Sequence, residues 1–355
     1  MPWPILRRCP IAAIVFVLGL AAAQAPAATA RTCAAPRDWF LNPFTARSAH
    51  HRPIGTGARF AGGSHAATRD WLTAPTLAIG GPGADDPIVA ATTVPDALRT
   101  VRPLAGCGAV SGLPITIRLP RAGLPLAAAA PGSCAGRSAV VHDRVTGATH
   151  EFGQFRWGGG GPVARLHRGW DIRGLGHGLH PLRRIGLAPS GASALFGLLR
   201  GHEIDTPGRA IEHALVAVLP SRAGCRSLLS RAVVLPAVAR DTAAEQGGDT
   251  GHIPRGALLA LPPSVDLAAL RLSEPGRRLA TALRDYGLYA LDAGGCTAGR
   301  LRTDGAVRPA TLAALEADLA RIYPLVRMVL NNDILAQAVA GGGAATAPNC
   351  AIDAR

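Results

Sequence analysis

The chain has 355 residues, with 37 basic and 23 acidic side chains and a formal net charge of +14. All of the fixed positive charge comes from arginine, since the sequence contains no lysine. The arginines are scattered, and no basic block alternates with aromatic residues as in many nucleic-acid-binding domains, so we expect no nucleic-acid partner. A basic surface still attracts anions, which favours a polysaccharide or another extracellular anionic polymer as the partner.

The N-terminus has the order of a secretory signal peptide. Arg7 and Arg8 precede an uninterrupted apolar run over residues 11–23, and small residues follow that run. This order predicts a signal peptide over residues 1–25 and a secreted or periplasmic mature protein. The apolar run is shorter than the roughly 20 residues with which a helix crosses a bilayer, so we expect no membrane span.

Composition suggests how the mature part is organised. Residues 26–86 are rich in Gly, Pro, Ala and His, which predicts an extended, loop-rich N-terminal segment. Residues 87–340 contain no linker-like tract or repeat and are expected to form one domain, followed by a loose tail over residues 341–355. We expect a monomer.

The cysteines predict disulfide bonds. Of the seven cysteines, Cys9 leaves with the signal peptide, and an even number remains in an exported chain. The sequence does not select a pairing, but Cys107 and Cys134 are the closest neighbours and are predicted to form one bridge. The remaining cysteines are Cys33, Cys107, Cys134, Cys225, Cys296 and Cys350.

A β-hairpin is the clearest local structure. Residues 138–143 and 148–157 have strand composition, and Gly147 in the connection can adopt the positive φ that a tight turn requires. Further strands are predicted over residues 115–119, 211–219, 257–261 and 288–291, each bounded by Gly or Pro. Many short strands predict a mainly β protein, a single β-sandwich or jelly-roll-like domain.

Helices are predicted to be few and peripheral. Leu279, Leu283 and Tyr286 repeat at helical spacing before Gly287, which is placed to end a helix. A second helix is predicted over residues 312–322. A third is predicted over residues 189–199, with Ser190 as its N-cap.

Several motifs spread over the mature part carry a resemblance. They are Asn42-Pro43-Phe44, residues 50–55, His150-Glu151-Phe152, residues 211–215, residues 253–266 and Asp285-Tyr286-Gly287. With them the chain resembles a family of uncharacterised secreted bacterial proteins, similar in arrangement to β-sandwich proteins that handle polysaccharides. The resemblance implies a carbohydrate partner. This chain departs from it at Gly153, where relatives carry an aromatic residue.

The strand around Glu151 is the most suggestive for chemistry. A period of two places Glu151, Phe155 and Trp157 on one face, with Phe152 and Gln154 on the other. A carboxylate in line with aromatic rings suits a sugar cleft, because the rings stack on pyranose faces while the carboxylate exchanges a proton. We therefore predict Glu151 to be catalytic and Trp157 and Gln154 to bind substrate. The alternative is an exposed glutamate paired with an arginine.

His213 is the second predicted catalytic residue. It falls within the predicted strand over residues 211–219, on its apolar face, so it is either a core histidine or lies on the rim of a cleft. A catalytic role requires a carboxylate or tyrosine beside it. The sequence offers Glu203, Glu212, Asp171 and Tyr286 without placing any of them.

Four glycines, residues 158–161, precede a segment that contains Asp171 and Arg173. A mobile lid over the hairpin would bring Asp171 to the site as a third catalytic residue. There Arg173 would bind the substrate carboxylate, and Tyr286 would shuttle a proton. An ordinary surface loop is the alternative.

No cofactor and no metal site are assigned. His50-His51, His142-Asp143 and His202-Glu203 are isolated pieces, and none completes a known metal motif. A structural calcium held by loop carboxylates remains the alternative. Two functions stay open: an enzyme with glycoside hydrolase or polysaccharide lyase acid/base chemistry, and a non-catalytic carbohydrate- or envelope-binding protein.

Overall fold

The computed structural model describes residues 37–74, 77–80, 86–121, 123–124, 134, 136–158, 160–180, 183–221, 227–240, 248–294, 296 and 299–332. The predicted signal peptide and C-terminal tail lie outside these residues. The described part is mainly β, with several sheets and few helices, as the sequence predicts. Within it, no helix is both long and apolar enough to cross a membrane.

A six-stranded sheet contains the most deeply buried strands. Its strand order is β1 (Ala78–Ile79), β14 (Arg300–Leu301), β9 (Leu215–Pro220), β13 (Leu288–Gly294), β12 (Leu258–Ala260) and β15 (Arg327–Met328). The central strands β9 and β13 are parallel, and every residue of β9 is buried. Burial on both faces explains why β9 is a continuous apolar run.

Helices cover one face of this sheet. They are α1 (Ala66–Thr73), α3 (Glu274–Asp285) and α4 (Pro309–Ile322). Leu283 of α3, Leu319 of α4 and Trp71 of α1 share one apolar core with alternate residues of β9. The side chain of Ser273 caps α3, and Gly287 follows the helix with a φ of 75°. The predictions for α3 and α4 are confirmed.

A second sheet carries the predicted hairpin. Its order is β2 (Ile88–Thr92), β5 (Arg137–Asp143), β6 (Ala148–Gly158), β7 (Gly161–Ala164), β3 (Ala97–Pro103) and β4 (Ile115–Leu119), and β8 (Leu166–Asp171) also pairs with β6. A separate parallel pair is formed by β10 (Leu229–Val233) and β11 (Ile253–Arg255). The hairpin of β5 and β6 is confirmed, with Gly147 at a φ of 77°.

One apolar layer joins the two large sheets. Val140 of the second sheet lies in the same cluster as Val216 and Tyr289 of the first, together with Phe44 and Phe196 from connections. The opposite face of the second sheet has a core of its own, to which strands β2 to β7 contribute. The N-terminal segment is integrated into these layers, since Phe44 and Trp71 are 0% and 1% exposed.

The strand predicted over residues 211–219 is confirmed from Leu215 onward but wrong at its start, and the helix predicted over residues 189–199 is wrong. Strand β9 begins at Leu215, because the N–H of Ala214 donates to the carbonyl of His50, so His213 lies in the connection before the strand. Residues 189–199 form successive turns, since Gly191 and Gly197 have φ values of 84° and 66°, which interrupt a helix. A short helix, α2 (Gly201–Ile204), follows instead.

The predicted bridge between Cys107 and Cys134 is confirmed, with a Cα–Cα distance of 5.3 Å. Cys296 is also disulfide-bonded. The bridge ties the loop that follows β3 to the segment that precedes β5, so it staples one end of the second sheet.

Candidate functional site

Glu151 is buried, with 1% of its surface exposed. Its two carboxylate oxygens accept the backbone N–H groups of Leu187 and Ala194, at 2.8 Å and 2.7 Å. Burial raises the pKa of Glu151, and these hydrogen bonds offset only part of that effect. The carboxylate therefore anchors the turns between residues 187 and 194, and both of its oxygens are already occupied.

A β-bulge separates Glu151 from the aromatic residues expected beside it. Ala139 pairs with Phe152 and Arg137 pairs with Phe155. These two pairs are two residues apart on β5 but three residues apart on β6, so β6 contains one extra residue. Gln154 takes up the extra residue with a φ of 54°. The bulge turns Phe155 to the same side as Phe152, with ring centroids 5.2 Å apart. The predicted alignment of Glu151 with Phe155 is therefore wrong.

Of the two possibilities for the glycine-rich segment, the lid is wrong and the structure has an ordinary surface turn. Gly158 pairs with Gly161 at the end of the hairpin of β6 and β7, and Asp171 ends β8, where it pairs with Ala148. Asp171 and Arg173 form an ion pair of 3.0 Å whose side chains are 54% and 62% exposed. Asp171 and Arg173 thus lie at the surface, and the hydrogen bonds of Glu151, His213 and Asp171 go to three different sets of partners.

His213 forms a buried ion pair with Glu203. Its Nε2 lies 3.1 Å from both carboxylate oxygens, and its Nδ1 lies 2.9 Å from the carbonyl oxygen of Ala214. These partners only accept, so both ring nitrogens carry protons. Burial opposes that charge, yet Glu203 outweighs it and raises the pKa of His213, while His213 lowers the pKa of Glu203. Of the four partners that the sequence offered, the fold selects Glu203.

His50 stacks on His213, with ring centroids 4.3 Å apart. Its Nδ1 accepts the N–H of Gly197 at 3.1 Å, so its proton is on Nε2. Burial and then the charge of His213 lower the pKa of His50 well below its ordinary value, which keeps His50 neutral. Among the described residues, Nε2 of His50 has no hydrogen-bond partner.

A small cavity lies beside these rings. The space open to the centre of a water molecule is about 10 Å³, enough for roughly one water. Arg200 borders it and is held by Asp304 at 3.2 Å and by the ring of Phe40 at 4.6 Å. The lining residues are Leu41, Asn42, Pro43, His50, Leu195, Leu198, Arg200, Glu203 and His213.

Most of this cluster is not predicted by the sequence. His50 and Glu203 occur there in incomplete metal motifs, Glu203 is also one of four candidate partners of His213, and no local pattern singles out Arg200 or Asp304. Arg200 and Asp304 are 104 residues apart, so their pairing produces no local pattern in the sequence. The tetrad of His50, Glu203, Arg200 and His213, with Asp304 behind it, is called the buried ionic cluster below.

The predicted substrate-binding residues lie apart from this cluster. Tyr286 caps the C-terminus of α3, and burial, with Glu212 and Asp285 nearby, raises its pKa to about 12. It therefore stays protonated at neutral pH and does not take up a proton. Gln154 is at the bulge, where its Oε1 is buried and unpaired. Trp157 is half-buried, with the guanidinium of Arg99 5.9 Å from its ring.

No group of three or more His, Cys, Asp or Glu side chains in the described ranges is arranged to hold a metal ion. Comparison of the chain with models of known families, with curated proteins and with solved structures finds no match. The site is therefore interpreted from its own geometry.

Proposed function

We propose that the chain is an exported, non-catalytic protein that binds an anionic extracellular polysaccharide. The observation that carries this proposal is the burial of the residues that an enzyme would need. Glu151 and His213 are 1% and 5% exposed, and every polar atom of both side chains is engaged within the protein. A glycosidic oxygen has no access to either group in this arrangement.

The proposed binding surface surrounds the turn between β6 and β7. On one side Arg99 lies over the ring of Trp157, and on the other Arg102 donates to the carbonyl of Gly160. Arg156 and Arg102 both pair with Val163 across neighbouring strands, which places these two arginines in one row, on the face of the sheet opposite to Arg99 and Trp157. The proposed surface therefore wraps around the end of the sheet at this turn. Arg99, Arg102, Arg156 and Trp157 are called the arginine–tryptophan surface below.

This surface suits a polymer of uronic acids. A guanidinium group binds a carboxylate with two parallel hydrogen bonds, while an indole ring packs against the apolar face of a pyranose. The excess of arginine over acidic residues in the whole chain adds a longer-range attraction for such a polymer. Because these charges are exposed, salt screens the attraction over about 10 Å at 0.1 M.

The rest of the proposal concerns the form of the molecule. The two large sheets, joined by one apolar layer, support a single β-sandwich or jelly-roll-like domain, with helices packed outside it. Disulfide bonds at Cys107, Cys134 and Cys296 support an oxidising location, secreted or periplasmic after removal of a signal peptide. We propose that this protein is a monomer.

A second candidate function is acid/base chemistry on the same class of polymer. One observation favours it: two stacked histidines, His50 and His213, have pKa values shifted in opposite directions beside a cavity. Environments that separate the pKa values of neighbouring groups are typical of catalytic acids and bases. This function requires the cavity to open, since it holds about one water.

The experiment measures binding and turnover together. Purified protein is titrated with polygalacturonate and with neutral dextran at two salt concentrations, while reducing ends and the absorbance of unsaturated uronate are followed. We expect salt-sensitive binding of polygalacturonate only, weakened at least tenfold by Arg99→Ala with Arg102→Ala. Arg231→Ala, an exposed arginine on β10, is the control and leaves binding unchanged.

Three results would decide against this proposal. Release of either product supports the second candidate, and its loss in Glu203→Gln would assign the chemistry to the buried ionic cluster. Equal binding by the arginine variants and the parent would move the site away from the arginine–tryptophan surface. Binding of neither polymer would rule out the polysaccharide function altogether.

A further inference from the structure

A short N-terminal segment closes the cavity beside the buried ionic cluster. Residues 37–43, called the strap below, cross the cavity, and Leu41, Asn42 and Pro43 form part of its wall. The strap has no regular secondary structure, only turns and bends. It is attached to the rest of the protein by side chains that contact its backbone and by its own side chains, since Asp38 is paired with Arg144 at 2.7 Å and the ring of Phe40 lies 4.6 Å from the guanidinium of Arg200.

Three of the strap's carbonyl groups accept hydrogen bonds from side chains outside it. Nη1 of Arg200 donates to the carbonyl of Phe40 at 2.5 Å, and Nε2 of His202 donates to that of Leu41 at 3.1 Å. Nε2 of His51 donates to the carbonyl of Pro43 at 2.6 Å. These donors recognise the main chain of the strap, and the contacts of Asp38 with Arg144 and of the Phe40 ring with Arg200 make the recognition specific to its sequence.

The groove beneath the strap is close to electrically neutral. Arg200 is paired with Asp304, and His213 is paired with Glu203. His50 and His51 are neutral, since burial lowers their pKa values. His50, whose side chain is 2% exposed, also borders the cavity, and within the described part of the chain its Nε2–H group has no hydrogen-bond partner. The groove therefore suits an uncharged stretch of backbone, whose carbonyl groups accept the hydrogen bonds that its side chains donate.

A strained residue joins the strap to the body. Phe44 has a φ of 70°, in the left-handed region that a bulky side chain rarely adopts. Its position is nevertheless fixed, because its ring is fully buried and its N–H donates to the carbonyl of Ile172 at 2.7 Å. Extension of the chain at this point would relieve the strain and release the N–H of Phe44 from Ile172, while the buried ring stays anchored.

We infer that the strap is exchangeable, and that the groove accepts the strap of a second copy of this chain. An exchanged strap makes the same three carbonyl contacts in the partner, so the closed monomer and the exchanged dimer differ chiefly in the hinge and in the concentration. The backbone strain at Phe44 is present only when the strap is closed. Relief of this strain favours exchange once the strap is loosened. This inference stands apart from the arginine–tryptophan surface.

Arg37 is the residue that holds the strap closed on itself. Its guanidinium donates to the carbonyls of Asn42, Pro43 and Phe44, at 2.9 Å, 3.2 Å and 2.5 Å. Of the three outside donors, His51 lies beside Arg37, at 3.3 Å. Arg37→Ala therefore loosens the closed strap and leaves Arg200, His202 and the carbonyls that they bind intact.

The test compares Arg37→Ala with Arg47→Ala, an exposed arginine in the same region. Molar mass is measured by light scattering over a hundredfold range of concentration. We expect Arg37→Ala to dimerise as its concentration rises, while Arg47→Ala and the parent remain monomeric over the same range. An excess of a synthetic peptide with the sequence of residues 37–44 should return the Arg37→Ala dimer to monomer.

A second measurement addresses the groove directly. The same peptide, labelled with a fluorophore, should bind dilute monomeric Arg37→Ala at least tenfold more tightly than the parent, and His202→Ala in the Arg37→Ala background should weaken that binding. A peptide of scrambled sequence that binds equally well would overturn the inference. So would an Arg37→Ala protein that is folded by thermal melting yet monomeric at every concentration, or whose dimer is unaffected by the peptide.

Discussion

Glu203 binds Nε2 of His213 with both of its carboxylate oxygens, each at 3.1 Å, and neither side chain is accessible to a large ligand. A buried pair of this kind contributes little to stability when intact, but removal of one partner leaves an uncompensated charge. Replacement of Glu203 by glutamine exchanges one carboxylate oxygen for an NH₂ group, so it removes the negative charge with little change in size. The effect of the pair on stability can be measured in this way.

Glu203→Gln should destabilise the protein by about 3 kcal/mol at mildly acidic pH, since it leaves His213 without its counter-charge. His213, with its raised pKa, stabilises the fold fully below its ordinary value of 6.5 and loses that effect as the pH rises through the folded value. Glu203, with its lowered pKa, contributes above 4.5 and loses its effect as the pH falls through the folded value. The loss of stability caused by Glu203→Gln should therefore be largest between pH 4.5 and pH 6.5, where both effects are present.

Urea unfolding of Glu203→Gln across this range of pH checks the prediction. Glu212→Gln, which removes an exposed glutamate one residue from His213, is the matched control and should change stability little. A loss that is the same at every pH would contradict the protonated state assigned to His213.

His51 should make the protein sensitive to acid. Burial lowers its pKa to about 4, while the unfolded chain has the ordinary value of 6.5. As the pH falls between these values the unfolded state takes up a proton that the folded state does not, so stability decreases, by about 3 kcal/mol over the whole range. In His51→Gln this part of the decrease should disappear.

Titration of the histidine ring signals by NMR, combined with unfolding at pH 7 and pH 4, measures both quantities. His65→Gln, at a partly exposed position that caps α1, serves as a control for the removal of a histidine. An acid-induced loss of equal size in the parent and in His51→Gln would show that other groups cause it.

Glu151→Gln should lower stability without affecting polysaccharide binding. The amide retains one acceptor for the N–H groups of Leu187 and Ala194 but turns its NH₂ toward the other. Such an unsatisfied buried donor costs about 1–3 kcal/mol. Thermal melting and polygalacturonate titration of the same preparation measure the two effects, with Glu316→Gln, an exposed glutamate on α4, as control. Reduced turnover at unchanged melting temperature would instead indicate a catalytic role.

Gln154→Gly should stabilise the protein by about 0.5–1 kcal/mol. Gln154 has a φ of 54° at the bulge, and its Oε1 is buried without a partner. Glycine adopts positive φ without steric cost and removes the unpaired oxygen, and these gains exceed its larger entropy loss on folding. Gln154→Ala, which keeps the strain, is the control in chemical denaturation. If the alanine variant were more stable than the glycine variant, the strained backbone conformation of Gln154 at the bulge would be contradicted.

Local patterns in the sequence were sufficient for the elements whose causes are local. The hairpin of β5 and β6 and the helices α3 and α4, with Gly287 after α3, were predicted because turn residues and helical spacing act over a few positions. The bridge between Cys107 and Cys134 was predicted because these are the closest cysteines of the mature chain, 27 residues apart. The same applies to the mainly β class, which follows from the number of short strands.

Only the tertiary structure decided where the charged side chains went. One extra residue at Gln154 reverses the alternation of β6, so the face shared by Glu151 and Phe155 could not be derived from a period of two. Glu203 was one of four candidate partners for His213, and the choice depended on how α2 packs against the segment before β9. Arg200 and Asp304 meet because β14 and α2 are brought together by folding, and the hydrogen bonds of such long-range pairs leave no periodic trace in the chain.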